Sequence, residues 1–167
     1  MSDLYREILI QRKTPLVNKL LKGLLFGITA ICIAAGLLFL PLLLPVGLLL
    51  GIVFWFLVIP KLEVEYEYLY VNGSLDIDAI YSRQKRKRVA EYEMSELELL
   101  APTGSHALDS YVNQKSKYRD FSSGDPETKT YTLVFNKDRE RELVKVELDD
   151  VVLGDIRRLA PRKVNLL

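Results

Sequence analysis

Five cations crowd into six positions, Arg83, Lys85, Arg86, Lys87 and Arg88, in a chain of 167 residues whose formal net charge is only +1. Side chains of this kind at this density suit the holding of anions, either lipid headgroups or an acidic partner. If the segment is a strand, alternation sends Arg86 and Arg88 to one face and Lys85 and Lys87 to the other. A solvated sheet edge that deters pairing with a second sheet carries the same residues. Groups able to make or break bonds are sparse. His106 is the only histidine and Cys32 the only cysteine, which excludes a Cys/His zinc site and a disulfide within the chain. Asp109 follows His106 at three residues, as a carboxylate orienting a base would, yet no nucleophile stands at a defined spacing from them. Asp76 and Asp78 lie two apart, either as a carboxylate pair or as the polar face of a strand. The chain has no phosphate-cradling glycine loop, no metalloprotease helix motif and no nucleophile elbow. No catalytic residue, metal or cofactor is expected, and an enzyme is the least supported class.

The elements that position the cluster begin with an apolar segment. Gly23 to Pro60 contains no charged side chain over 38 residues, with Lys19 and Lys22 before it and Lys61 after it. About 20 such residues cross the hydrocarbon of a bilayer. A single helix of this length would run to about 57 Å, more than tilt absorbs. Pro41 and Pro45 divide the segment, so it is expected to be a transmembrane helical hairpin over 22–60 with spans at about 22–40 and 43–60. One long tilted helix, a signal peptide and a buried soluble hairpin are the alternatives. Arg6, Arg12, Lys13, Lys19 and Lys22 outnumber Asp3 and Glu7 in the preceding flank. By the preference of such flanks for the cytoplasm, the chain is expected in the cell membrane with both termini cytoplasmic. Residues 1–21 are expected to be a cytoplasmic amphipathic segment, with residues 4–12 either a short basic helix in the interface or a plain flank. Gly47 and Gly51 make a small-x-x-x-small pair in the second span.

Residues 61–167 carry 18 basic and 20 acidic side chains, a balance that argues against nucleic acid as a partner. Leu62 to Val71 alternates strictly, with Glu63, Glu65 and Glu67 on one face and Val64, Tyr66, Tyr68 and Tyr70 on the other. Asn72-Gly73 then supplies the two positive-φ residues of a hairpin turn. The return strand is Leu75 to Tyr81, and further strands are expected near 86–92, 97–101, 131–135 and 143–148. Residues 103–129 are expected to form a long loop with a short helix at 106–112. From Asp149 the period becomes helical, with Val152, Ile156 and Leu159 on one stripe over about 149–160.

This order of strands and one terminal amphipathic helix, following paired membrane helices, resembles the bacterial pleckstrin-homology-like (PH-like) domains. The stretches Tyr70–Asp78, Arg86–Arg88, Met94–Pro102 and Ala160–Val164 are also similar to a functionally uncharacterised family of small membrane proteins of clostridial Firmicutes. The resemblance covers nearly the whole chain and carries no activity, substrate or catalytic position. The expected fold is α+β: a transmembrane hairpin, then a small antiparallel β domain over 61–167, a partly open PH-like barrel or sandwich closed by a C-terminal helix. The expected function is a membrane-tethered, non-enzymatic binding module on the cytoplasmic face. Its expected contacts are the lipid bilayer, anionic headgroups and a protein partner, with Arg83, Lys85, Arg86, Lys87 and Arg88 as the binding residues. The alternative is a structural or assembly subunit that self-associates through its hairpin.

Overall fold

Residues 4–13, 16–82, 85–112, 116–137 and 140–166 are described by a computed structural model. Thr14-Pro15, Arg83 and residues 138–139 lie outside them. The chain divides into two units: Met1–Arg12 with Glu65–Ile80 and Arg86–Leu167, and Lys13–Val64 with Tyr81–Lys85.

The first unit holds two four-stranded sheets, ordered β1-β2-β3-β4 and β5-β7-β8-β6. The strands of the first are β1 (Tyr5–Gln11), β2 (Val64–Val71), β3 (Ser74–Tyr81) and β4 (Lys85–Glu93). Those of the second are β5 (Leu97–Pro102), β6 (Ser116–Asp120), β7 (Tyr131–Lys137) and β8 (Glu140–Val146). Between β2 and β3, Asn72 and Gly73 sit at φ 48° and 91°, the geometry a two-residue primed turn requires. The alternation read from the sequence delivers Tyr66, Tyr68 and Tyr70 of β2, Leu75 and Ile77 of β3 and Tyr92 of β4 to the core. From the other sheet come Leu97, Leu100, Leu133, Phe135, Val144 and Val146. Tyr92 stacks on Phe135 with ring centroids 4.5 Å apart, and Tyr66 meets Phe121 edge-on at 5.2 Å.

Two strands correct the sequence expectations. Residues 5–11 form no amphipathic helix; they are β1, antiparallel to β2 with Tyr5 opposite Val71 and Gln11 opposite Glu65. Residues 103–129 are likewise not one loop. After a short helical stretch at His106–Leu108 and Asp109–Val112 (α4), β6 pairs parallel to β8, Ser116 with Arg141 through Asp120 with Lys145. The segment behind it is pinned as well: Ser123 N–H and hydroxyl both donate to Glu147 Oε1, at 2.7 and 2.6 Å. The described strands therefore number eight, where six were expected. Leu108 packs with Ala101, Val134 and Leu143 in a separate small core.

The last helix, α5 (Asp150–Leu159), is capped by Asp149, whose carboxylate accepts from Val152 N–H at 2.9 Å. It buries Val152, Leu153 and Ile156. Its Asp155, also buried, accepts the Tyr70 hydroxyl at 2.8 Å. Beyond α5 the chain turns back along β5: Leu100 N–H donates to Lys163 O at 2.7 Å and Asn165 N–H to Leu100 O at 2.8 Å.

The second unit is helical. The helix α1 (Leu16–Leu38) and the helix α2 (Leu43–Val53) are joined by four residues, with Pro45 in the first turn of α2. The coil continues through a π-helical turn, Phe54–Val58, into α3 (Ile59–Leu62). Pro60 cannot donate to the carbonyl four residues before it, and the widened turn ahead of it accommodates that loss. Small residues let the helices touch. A Cβ on Gly36 would lie 2.7 Å from Leu44 N, one on Gly47 2.9 Å from Ile33 Cγ1, and one on Gly51 3.2 Å from Thr29 Cγ2. Against the expected bounds of 22–40 and 43–60, the first helix starts at Leu16 and ends at Leu38, and the second runs to Leu62. Only α1 among the described helices is long and apolar enough to cross a membrane, and the apolar stretch Leu43–Val58 is shorter. At the far end of this unit Asn18 Nδ2 donates to Leu62 O at 3.5 Å, and Lys22 Nζ pairs with Glu63 at 2.5 Å. Ser82 N–H, in the turn between β3 and β4, donates to Glu63 O at 3.0 Å.

Candidate functional site

Strand β4 carries four of the five expected binding cations, and the structure divides them. Arg86 pairs with Glu67 of β2 and, at 3.1 Å, with Asp78 of β3. Arg88 pairs with Asp76 at 2.9 Å, with Asp78 at 3.7 Å and with Glu91 at 3.7 Å. The arginine side chains stay 57 % and 55 % exposed, while Glu67, Asp76 and Asp78 beneath them are 10, 18 and 20 % exposed. The guanidinium planes thus lie over a carboxylate row that the sheet partly shields from water. The aspartate pair noted in the sequence is this row, and its charge is answered by Arg86 and Arg88. Lys85 and Lys87 are exposed and make no ion pair among the described residues. Arg83 falls outside those residues.

The tyrosines serve the core with their hydroxyls tied at its rim. Arg12 donates to Tyr66 Oη at 2.9 Å, and Tyr68 Oη donates to Phe121 O at 2.8 Å. Burial pushes the hydroxyls of Tyr68, Tyr70 and Tyr92 well above the ordinary tyrosine value of 10.0, with the Asp155 bond adding to the rise at Tyr70. The Tyr92 hydroxyl has no hydrogen-bond partner among the described residues. It belongs to a cleft of about 300 Å³ where Arg119 of β6 donates to Val89 O of β4 at 2.6 Å and pairs with Glu142 at 3.4 Å. His106 Nδ1 lies 3.2 Å from Asp109 Oδ2 in an exposed pair. Among the described residues no three His, Cys, Asp or Glu side chains gather so as to hold a metal ion.

A larger concavity was not foreseen from the sequence. It measures about 680 Å³ and runs beside α5, lined by Asp150, Leu153, Gly154 and Arg157 on the helix. Pro102, Thr128, Lys129 and Leu166 are on its other walls. Spacings of three, four and seven residues place the four helix positions on one stripe. A Cβ on Gly154 would meet nothing within 4 Å. Glycine inside a helix is unfavourable by about 1 kcal/mol relative to alanine, so Gly154 was the available signal.

A family model described as "Bacterial PH-like domain (DUF6106)" matches residues 2–166. No curated protein and no solved structure matches the chain.

Proposed function

Because the chain belongs to the bacterial PH-like domain family, we propose that it is a membrane-tethered, non-enzymatic binding module with its β domain on the cytoplasmic face. The observation that carries this reading is the position of the helices in the strand order. The chain leaves the first sheet after Gln11 and rejoins it at Glu65, and these two residues are paired across β1 and β2. Whatever the intervening residues cross, they cross an even number of times, since both ends belong to one sheet. An apolar hairpin meets that requirement with two passes. The helix α1 is 23 residues long, about 34 Å at helical rise. The second pass requires the coil from Leu43 through α3 to Leu62 to act as one span. The excess of Lys and Arg in residues 1–22 favours the cytoplasm for both ends.

The same arrangement supports a lipid-facing role for the basic cluster. The turn between β3 and β4 is tied to Glu63, one residue past α3, through the Ser82 N–H. On this reading the basic cluster meets anionic headgroups, where each charge near the leaflet contributes about 1 kcal/mol. Arg86 and Arg88 divide their charge between that surface and the carboxylate row.

Topology is tested with single cysteines placed at Leu42 and Thr128 in a Cys32→Ala chain, probed in intact spheroplasts with an impermeant maleimide. Labelling of position 42 alone is expected, and labelling of position 128 before permeabilisation overturns the reading. For the cluster, amide exchange at 85–88 is compared in anionic and zwitterionic nanodiscs. It is expected to slow in the anionic discs, and the difference is expected to vanish in Lys85→Glu/Lys87→Glu.

One observation favours assembly as a second reading. Gly36, Gly47 and Gly51 are used within the hairpin, whereas Gly23 and Gly27 have nothing within 4 Å of an added Cβ. A loss of oligomer size on native gels in Gly23→Leu/Gly27→Leu would support it.

A further inference from the structure

We propose that the cleft between β4 and β6 is a binding site for a small zwitterion of the free amino acid class. The site adds a ligand to the binding-module reading. It depends on neither the membrane assignment nor the basic cluster, so failed topology mapping leaves it standing.

The cleft lies where two sheet edges meet. Strand β4 ends the first sheet and β6 ends the second. A side chain rather than a ladder links them here: Arg119 donates to Val89 O at 2.6 Å, its guanidinium 4.9 Å from the Phe121 ring.

The register of β6 on β8 decides which charges enter. Lys117 stands opposite Glu142 and Arg119 opposite Val144. Val144 belongs to the core, so alternation turns Lys117, Arg119, Glu140 and Glu142 toward the first sheet, and all of them line the cleft. Arg141 takes the opposite face, where it pairs with Glu98 at 3.2 Å and lies over the Tyr111 ring. Glu91, on the β4 side, stands 3.7 Å from Arg88. The charges facing the cleft are thus balanced but loosely matched. Arg119 meets Glu142 at 3.4 Å, while Lys117 and Glu140 are exposed and make no ion pair among the described residues.

Tyr92 forms part of the facing wall. It is 1 % exposed and stacked on Phe135, which stands opposite Glu142 in the β7–β8 ladder. Its hydroxyl has no hydrogen-bond partner among the described residues, and the nearby charges of Glu142 and Arg119 act on it in opposite senses. Burial keeps the phenol neutral, and so a donor. A buried hydroxyl left unpaired is unfavourable, and an incoming acceptor relieves it.

A molecule with both signs a few bonds apart matches this set. Its carboxylate accepts from Tyr92, Arg119 and Lys117, and its ammonium meets Glu140 and Glu142. An anion alone would face the carboxylates, and a cation alone the guanidinium and the ammonium. The volume of about 300 Å³ is at the small end for ligand sites and suits a compact solute.

The test is calorimetric titration of the full chain in nanodiscs with each common free amino acid. Acetate, methylammonium and the N-acetyl amide of each amino acid that binds serve as comparisons. At least one amino acid is expected to bind saturably with a Kd below about 1 mM, and to raise the melting temperature, where the comparisons do neither. Tyr92→Phe keeps the ring on Phe135 and removes the hydroxyl. It is expected to weaken binding about tenfold while the unliganded melting temperature holds or rises, because no bond within the fold is lost. Lys117→Gln and Glu140→Gln, at exposed positions, are each expected to weaken binding about tenfold with the fold intact. A cleft that takes up none of the amino acids holds water only, and that result overturns the proposal. So does a Tyr92→Phe chain that melts lower yet binds unchanged, since its hydroxyl is then structural. Equal binding of the uncharged amide overturns it, as does acetate that binds as tightly and requires Lys117 but not Glu140, the mark of a small-anion site.

Discussion

Tyr70 shows how a single polar atom acts inside the β core. Its hydroxyl is the donor to Asp155, a buried carboxylate whose other bond comes from Arg158 at 2.5 Å. Tyr70→Phe deletes the donor without changing the packing volume, and is expected to cost about 1–2 kcal/mol in denaturant unfolding. The buried tyrosines also set an alkaline limit. Tyr68, Tyr70 and Tyr92 have folded-state values raised above the unfolded value of 10.0, so the fold favours their neutral forms. Their contribution is complete below pH 10 and is lost as pH climbs through the raised values. Stability should fall in that range, with tyrosinate absorbance from these residues appearing together with unfolding rather than before it. Strict alternation made the inward tyrosines legible in the sequence. Which hydroxyl meets which acceptor was not legible, because Asp155 and Phe121 reach the sheet from distant parts of the chain. For the same reason the basic cluster was legible only as a cluster. The carboxylates that engage Arg86 and Arg88 come from two other strands.

Helices and strands differed in how openly they announced themselves. The β2–β3 hairpin, with alternation and Asn-Gly together, was legible because both signals are local. Strand β1 was not, since Leu4, Tyr5, Ile8 and Leu9 also fit a helical stripe over so few residues. Strand β6 has only Tyr118 as an apolar residue in Ser116–Asp120, and that ring is exposed. It is an edge strand held by its parallel pairing and by pairs such as Lys145 with Asp120 at 3.7 Å. In the helical unit the glycines predict opposite outcomes. Gly47→Val forces a side chain against Ile33 and Cys32, and should lower the melting temperature in detergent by the equivalent of about 1–3 kcal/mol. Gly27→Ala meets open space and should be neutral or stabilising by up to about 1 kcal/mol.

At the scale of the molecule, nothing in the sequence joined residues 1–21 to the β domain. The link is a pairing of Gln11 with Glu65, and a partner so far along the chain leaves no local trace. It does make the helices removable. Asn72 N–H donates to Leu4 O, so bonded pairs fall at the even-numbered β1 residues and the ladder, extended, sets Arg12 opposite Val64 at a bonded position. Replacing residues 13–63 with Asn-Gly joins those two residues through a turn suited to such a pair. The shortened chain should be a detergent-free monomer with a β-rich circular dichroism spectrum, measured against aggregation as the contrary result.

Placing the helices between β1 and β2 also has a consequence in time. A ribosome releases the amino end first, so β1 emerges well before the strand it pairs with. Until β2 follows, Ile8 and Ile10 have no sheet to cover them, and the first sheet cannot begin to pair. Completion of that sheet therefore waits on the helices having found their place, and a nascent chain whose helices stall is left with an unprotected edge for proteases to find.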